Sequence, residues 1–291
     1  MALAANPLII IGMHRSGTTM IVRMLRELGM FMGASLEENE EATFFLELND
    51  WLLAQSQAGW YNPLNFKHIT DEPVILDAFA RYLDAYLATR KVKNYLGPQI
   101  YKKGIRLQTL VPPWGWKDPR NTFTLPVWLK LFPGARVINI YRNGIDVAQS
   151  LVSRSAGIEL AVARDVDTRI RKIRKNPFYE HRWRCLVFHP LFTLDTGFEL
   201  WEQYVAEASR HVEILGNRAI SLRYEDFLES PLHELKRMAE FCNLPAREED
   251  LASLAGGVRK NRAFAYKESE ELIRFYEENR RTPWMEKLGY S

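Results

Sequence analysis

Leu8-Ile9-Ile10-Ile11-Gly12-Met13-His14-Arg15-Ser16-Gly17-Thr18-Thr19, running on into Met20-Ile21-Val22-Arg23-Met24-Leu25, decides how the rest of the chain is read. A short apolar run, a polar loop bounded by glycines and apolar residues at helical spacing read as strand, loop and helix N-terminus. Gly12 and Gly17 are separated by four residues and followed by two hydroxyls. That is the frame of a phosphate-binding loop, with Thr18 where nucleotide-triphosphate enzymes carry lysine. Such a loop aims backbone N–H groups and the positive end of a helix dipole at an anion. Arg15 supplies a cation from within it. The plainer alternative, a strand-to-helix turn, needs coincidence in the strand, both glycines, the hydroxyl pair and the helix. His14 reads as a spacer or hydrogen-bond partner.

At 291 residues the chain has room for one large α/β domain or two small ones, and a single domain over 1–291 is expected. A formal charge of +3 is too balanced for a nucleic-acid carrier. The two cysteines, Cys185 and Cys242, have no metal-ligand spacing, so neither a disulfide framework nor a metal site is expected. No apolar run approaches the roughly 18 residues of a membrane span, and the N-terminal one has no basic leader. A cytoplasmic protein without a transmembrane segment is the expectation.

Further along, the first helix closes at Gly29. The acidic bend Leu36-Glu37-Glu38-Asn39-Glu40-Glu41 leads into a helix over 44–53. It reads as a solvated helix start, or as a bend that turns one glutamate toward the loop as a general base. Residues 56–75, with Trp60, Tyr61, Phe66 and His68, read as a binding loop or lid. Residues 74–93 read as an amphipathic helix that buries Ile75, Phe79, Tyr82, Leu83, Tyr86 and Leu87. In Trp116-Lys117-Asp118-Pro119-Arg120 a strand ends and Asp118-Pro119 opens a helix. Lys117 and Arg120 bracket that turn, which costs less with an anion nearby. Arg136-Val137-Ile138-Asn139-Ile140-Tyr141 is the next strand. Arg142 leaves its C-terminal end, the edge where open parallel sheets bind ligands. Ser150 follows eight residues later, a little over two helical turns. A fork-shaped guanidinium and a hydroxyl are thereby set to meet one anion.

Two anion sites on one sheet, without the lysine, suggest a nucleotide with phosphates at two positions. At this point a family becomes recognisable. Gly12 to Thr19 resembles the 5′-phosphosulfate loop of sulfotransferases that use 3′-phosphoadenosine 5′-phosphosulfate (PAPS). Tyr141-Arg142-Asn143-Gly144 through Ser150 resembles their 3′-phosphate motif. Trp116 to Arg120 and Leu222-Arg223-Tyr224-Glu225-Asp226-Phe227 fall in the order seen in the bacterial-type branch. The resemblance covers roughly residues 8–154 and 215–291. It implies a three-layer α/β/α fold with a central parallel sheet, P-loop NTPase-like, with helical insertions on the acceptor side. A lid or insertion at 155–190, rich in arginine, is one reading of that stretch, and a solvated helix face is the other.

The resemblance also implies roles. His14, Arg15, Ser16, Gly17, Thr18 and Thr19 hold the 5′ end of PAPS, and Arg142 and Ser150 its 3′-phosphate. Tyr224 contacts adenine by similarity, although it reads equally as a core tyrosine. Arg259 is carried over from the late Arg-Lys-Gly segment of animal cytosolic sulfotransferases, but here no glycine follows the lysine. Sulfuryl transfer moves less charge than phosphoryl transfer and needs less metal neutralisation, which suits a loop with Arg15 and no metal. Catalytic residues are expected at Arg15 and at Glu41 ahead of Glu40, with His68 and Asp118 as reserve bases. A small-molecule, lipid or carbohydrate acceptor is expected. A P-loop kinase and a non-catalytic nucleotide-binding protein are the alternatives.

Overall fold

Among the described residues, four short parallel strands explain why the chemistry gathers at one edge. The computed structural model describes residues 6–110, 113–155, 166–167, 171, 191–259 and 262–291. Strand β1 (Leu8–Ile11) pairs with β2 (Gly115–Lys117) on one side and β3 (Arg136–Tyr141) on the other, and β3 pairs with β4 (Ala219–Arg223). All pairs are parallel, in the order β2-β1-β3-β4. Strands covered on both faces are apolar throughout, and β1, Leu-Ile-Ile-Ile, is buried at every position. Side chains alternate along it. Ile9 and Ile11 enter a large core with Phe45, Trp116, Trp128 and Trp201, while Leu8 and Ile10 face a smaller one with Ile21, Leu25, Phe227 and Leu235. Helices on both faces of a parallel sheet make the expected α/β layers.

The large core takes α2 (Thr43–Ala54), α4 (Asn121–Leu131), α5 (Gly144–Ser155) and α6 (Leu194–Leu215). The small one takes α1 (Thr18–Glu27) and, after the short α7 (Tyr224–Glu229), α8 (Pro231–Phe241). Helix α3 (Pro73–Leu87) lies outside α4, and α9 (Glu270–Asn279) and α10 (Pro283–Lys287) follow near the end of the chain. Chain order places β2 on one side of β1 and β3 on the other, so ligands are expected at the crevice beyond the C-terminal ends of β1 and β3. Both expected anion motifs leave the sheet there.

Two expectations shift, and a third falls outside the described residues. The 74–93 helix stops at Leu87, and Ile75 and Tyr82, expected inside, are exposed, Tyr82 stacking on Trp51 at 4.6 Å. Asp118 and Pro119 form a turn and the helix begins at Asn121, although Asp118 still accepts the Arg120 N–H at 2.9 Å. Nearly all of the arginine-rich 155–190 stretch lies outside the described residues. Among the described residues no helix is long and apolar enough to cross a membrane.

Candidate anion-binding and catalytic site

The loop from Gly12 to Gly17 is shaped by close approach. A Cβ on Gly12, at φ +127°, would lie 2.2 Å from the Ile140 carbonyl oxygen; one on Gly17, at φ +93°, would lie 2.5 Å from the Tyr224 ring. Only glycine tolerates both the backbone angle and the contact. The Gly12 N–H is held by Thr122 Oγ1 at 3.1 Å. Ser16 is buried, and its Oγ has no hydrogen-bond partner among the described residues. Arg15, at φ +70°, turns outward and donates through Nε to Ser150 Oγ at 2.7 Å. The loop and the helix that carries Ser150, more than a hundred residues apart in the chain, therefore touch.

Arg142 is held from several sides. One terminal nitrogen donates to Asp146 Oδ2 and to the Arg262 carbonyl, both at 2.8 Å, and the other reaches the Arg15 carbonyl at 3.5 Å. Its guanidinium lies 4.9 Å from the centre of the Tyr224 ring, and its own carbonyl accepts from Trp201 Nε1 at 3.0 Å. Tyr224 thus sits between the loop and Arg142, half buried, with its phenol pKa raised chiefly by burial.

The electrostatics of this edge are one-sided. Burial, then the guanidiniums of Arg154, Arg142 and Arg262, draw the Arg15 pKa below the ordinary arginine value. Among the described residues no carboxylate pairs with Arg15, Arg154 or Arg262, and Asp146 is the one paired with Arg142. Four cations that repel one another, with one carboxylate among them, carry a standing cost that an anion between them removes. His14 stays neutral for related reasons: burial first, then Arg120, Lys117, Arg154 and Arg15, hold its pKa well below the usual histidine value. Its ring packs 4.7 Å from Trp60 and its Nε2 has no hydrogen-bond partner among the described residues.

Next to the loop lies a buried ionic cluster. Lys117, at the end of β2, donates to Glu41 Oε1 at 2.8 Å and to the Asn39 carbonyl at 2.9 Å. That carbonyl also accepts from Thr19 Oγ1 at 3.1 Å, which ties Glu41 to the start of α1, just after the loop, through Lys117 and the Asn39 carbonyl. Burial, then the Asp118 charge, outweigh Lys117 and Arg120 and push the Glu41 carboxyl up to about 7. Arg120 bonds Asp118 Oδ1 at 3.0 Å through Nε and also bonds Asp50. Its pKa stands above the ordinary value, with Asp118, Asp50 and Glu41 prevailing over burial. The anions that stabilise Lys117 and Arg120 therefore come from the protein itself.

Asn49 anchors this cluster from inside α2. Fully buried, it donates to Asp118 Oδ2 (2.9 Å) and Asn121 Oδ1 (2.8 Å) and accepts from Thr124 Oγ1 and Trp128 Nε1, both at 2.8 Å. Asn49→Ala is expected to cost about 3 kcal/mol or more, because the indole N–H and carboxylate it serves lose a partner away from water. Urea unfolding of the variant beside the wild type measures that loss.

Several expected residues lie elsewhere. Glu40, at φ +65°, turns away from the loop and pairs with Arg26 at 2.6 Å and Arg23 at 3.1 Å on the outer side of α1. His68 is exposed in the short helix Lys67–Thr70. Asp118 is fully buried and committed to Arg120 and Asn49. Arg259 is exposed, and it is Arg262, three residues on, that meets Arg142. Arg262, Arg154 and the counter-ion Lys117 were not singled out as site residues from the sequence. The basic stretch around Arg259 was a signal for the first, but spacing alone could not say which arginine turns inward.

Comparison with known proteins bears on the family and the fold. A family model described as "Sulfotransferase family" matches residues 7–249. Among solved structures, the sulfotransferase domain from the curacin biosynthetic pathway aligns with a TM-score of 0.50 at 15% identity, over 94% of this chain and 97% of that one. Sulfotransferase STF9 from Mycobacterium avium aligns with a TM-score of 0.42 at 18% identity, over 96% and 77%. No curated protein matches. A four-stranded parallel sheet, a glycine-bounded loop without the lysine and a family match over most of the chain lead to one conclusion: the chain belongs to the sulfotransferase family.

Proposed function

We propose that the chain transfers a sulfuryl group from PAPS to a hydroxyl or amine of a small-molecule, lipid or carbohydrate acceptor, without a metal. The observation that carries this reading is the convergence of Arg15, Arg142, Arg154 and Arg262 on the loop with one carboxylate among them. Orphaned buried polar atoms at Ser16 Oγ and Arg142 Nε fit a ligand rich in acceptor oxygens. Bound there, PAPS supplies a sulfuryl group whose S–O bond to the 5′-phosphate breaks as the acceptor attacks in line.

In this reading the Ser16 to Thr19 amides and Arg15 hold the 5′-phosphate and neutralise the charge that grows on it. Arg142 and Ser150 hold the 3′-phosphate, with Arg262 beside them and Tyr224 against the base. The Arg15–Ser150 hydrogen bond couples the two ends. Glu41 takes the acceptor proton as the acceptor oxygen or nitrogen bonds to sulfur, and Lys117 fixes its orientation. The family match leaves the phosphoryl-transfer alternative without support.

Calorimetric titration with adenosine 3′,5′-bisphosphate and with AMP tests the donor site, and labelled PAPS with an acceptor panel tests transfer. Charge-assisted hydrogen bonds to the extra phosphate are expected to favour the bisphosphate by roughly 10- to 100-fold, and Arg142→Ala to abolish that preference. Equal affinities in the wild type sink the reading.

A further inference from the structure

The family match ends at residue 249, yet segments beyond it reach back to the turn after β3. The Ala265 and Tyr266 N–H groups donate to Asp146 at 3.2 and 2.8 Å, and Asp146 in turn holds Arg142. From further along, Tyr290 donates its hydroxyl to Glu225 Oε2 at 2.7 Å. Glu225, buried at the start of α7, accepts the Asn143 N–H on its other oxygen at 2.9 Å. Asn143, fully buried, accepts from the first turn of α5 through Oδ1, from the Ile145 N–H at 3.0 Å and the Asp146 N–H at 3.4 Å. A line of hydrogen bonds thus runs from Tyr290 through Glu225 to the peptide next to Arg142.

We infer that Tyr290, acting through Glu225, is a positioning residue for the 3′-phosphate site, setting the Arg142–Asn143 turn in the orientation the phosphate requires. This rests on the reading of that turn as the 3′-phosphate site. A buried carboxylate with two acceptor oxygens and two committed donors has one arrangement, and the donors lie on separate segments, so the turn is fixed relative to the end of the chain. Arg223 completes the frame. It stacks 4.3 Å from the centre of the Tyr290 ring, lies 3.6 Å from Glu225 Oε2 and donates to the Gly289 carbonyl at 3.1 Å. If the Tyr290 hydroxyl is lost, Glu225 Oε2 keeps only the longer Arg223 contact, and the carboxylate is free to rotate off the Asn143 N–H.

Tyr290→Phe keeps the ring, with its contacts to Arg223 and Tyr141, and removes the hydroxyl alone. Titrations of the wild type and the variant with adenosine 3′,5′-bisphosphate and with AMP separate positioning from mere stability. Affinity for the bisphosphate is expected to fall roughly tenfold, the weight of one buried hydrogen bond to a carboxylate, while AMP binds as before. Glu225→Gln, with one acceptor where the carboxylate has two, is expected to lower the same ratio and serves if the first variant folds poorly. Leu272→Ala, in the core of α9, is expected to lower the melting temperature and leave the ratio alone. Unchanged bisphosphate affinity in Tyr290→Phe, or equal weakening toward both nucleotides, overturns the inference while the wild-type preference leaves the donor site standing. A wild type that holds both nucleotides equally overturns the donor site and this inference together.

Discussion

Replacing Arg15 with alanine is expected to lower kcat/KM for sulfuryl transfer by about a thousandfold or more, the scale seen when an arginine that neutralises a departing phosphate is removed. The expectation comes from where the side chain stands. Its Nε is anchored on Ser150, which restrains the guanidinium and leaves the terminal nitrogens available for an anion. No carboxylate among the described residues competes for them. The fold should not suffer, because Arg15 is exposed and is repelled by Arg154, Arg142 and Arg262. The melting temperature is therefore expected to hold or rise while activity collapses. Arg15→Lys should recover little, since one ammonium cannot both bond Ser150 and fork across a phosphate. Steady-state kinetics beside thermal unfolding decide the matter, and activity within tenfold of the wild type removes the role.

Glu41→Gln is expected to lower kcat by roughly a hundred- to ten-thousandfold while donor affinity stays near that of the wild type. Glu41 is buried against Lys117 and linked to Thr19 through Asn39, close to the loop yet not part of it. The sign of the pH effect follows from its raised carboxyl. A base works in its ionised form, so kcat should climb as pH rises through about 7 and level off above it. The glutamine variant should lose that limb, because an amide does not titrate. A Glu41→Gln enzyme with wild-type kcat, or with the rising limb intact, moves the base elsewhere. Weakened bisphosphate binding in this variant would place Glu41 on the donor side instead.

Glu40 and Glu41 show where the reading of the chain met its limit. Both stand in one acidic run, and the local pattern offers no way to choose between adjacent carboxylates. The choice depends on the positive φ of Glu40, which turns its side chain onto Arg23 and Arg26, and on Lys117, which reaches Glu41 from β2. The same holds for Arg259 and Arg262. A basic run was visible, but which guanidinium approaches the site depends on how 262–266 packs against Asp146 and Arg142. Lys117 and Arg120 cost less with an anion nearby, and tertiary structure supplies those anions as Glu41, Asp118 and Asp50.

By itself the sequence determined the glycine-bounded strand–loop–helix, the parallel α/β layout, the strand that delivers Arg142 and the family, because these follow from short-range rules: apolar runs, glycines bounding a loop and helical spacing. Tertiary structure alone decided what meets across the chain. Arg15 bonds Ser150, Lys117 pairs with Glu41, Asn49 holds Asp118, and Tyr290 reaches Glu225. The physical reason is separation along the chain. These contacts join residues roughly 65 to 135 positions apart, and the buried ones, Lys117–Glu41, Asn49–Asp118 and Tyr290–Glu225, draw their strength from exclusion of water, which exists only once the sheet and its helices have closed.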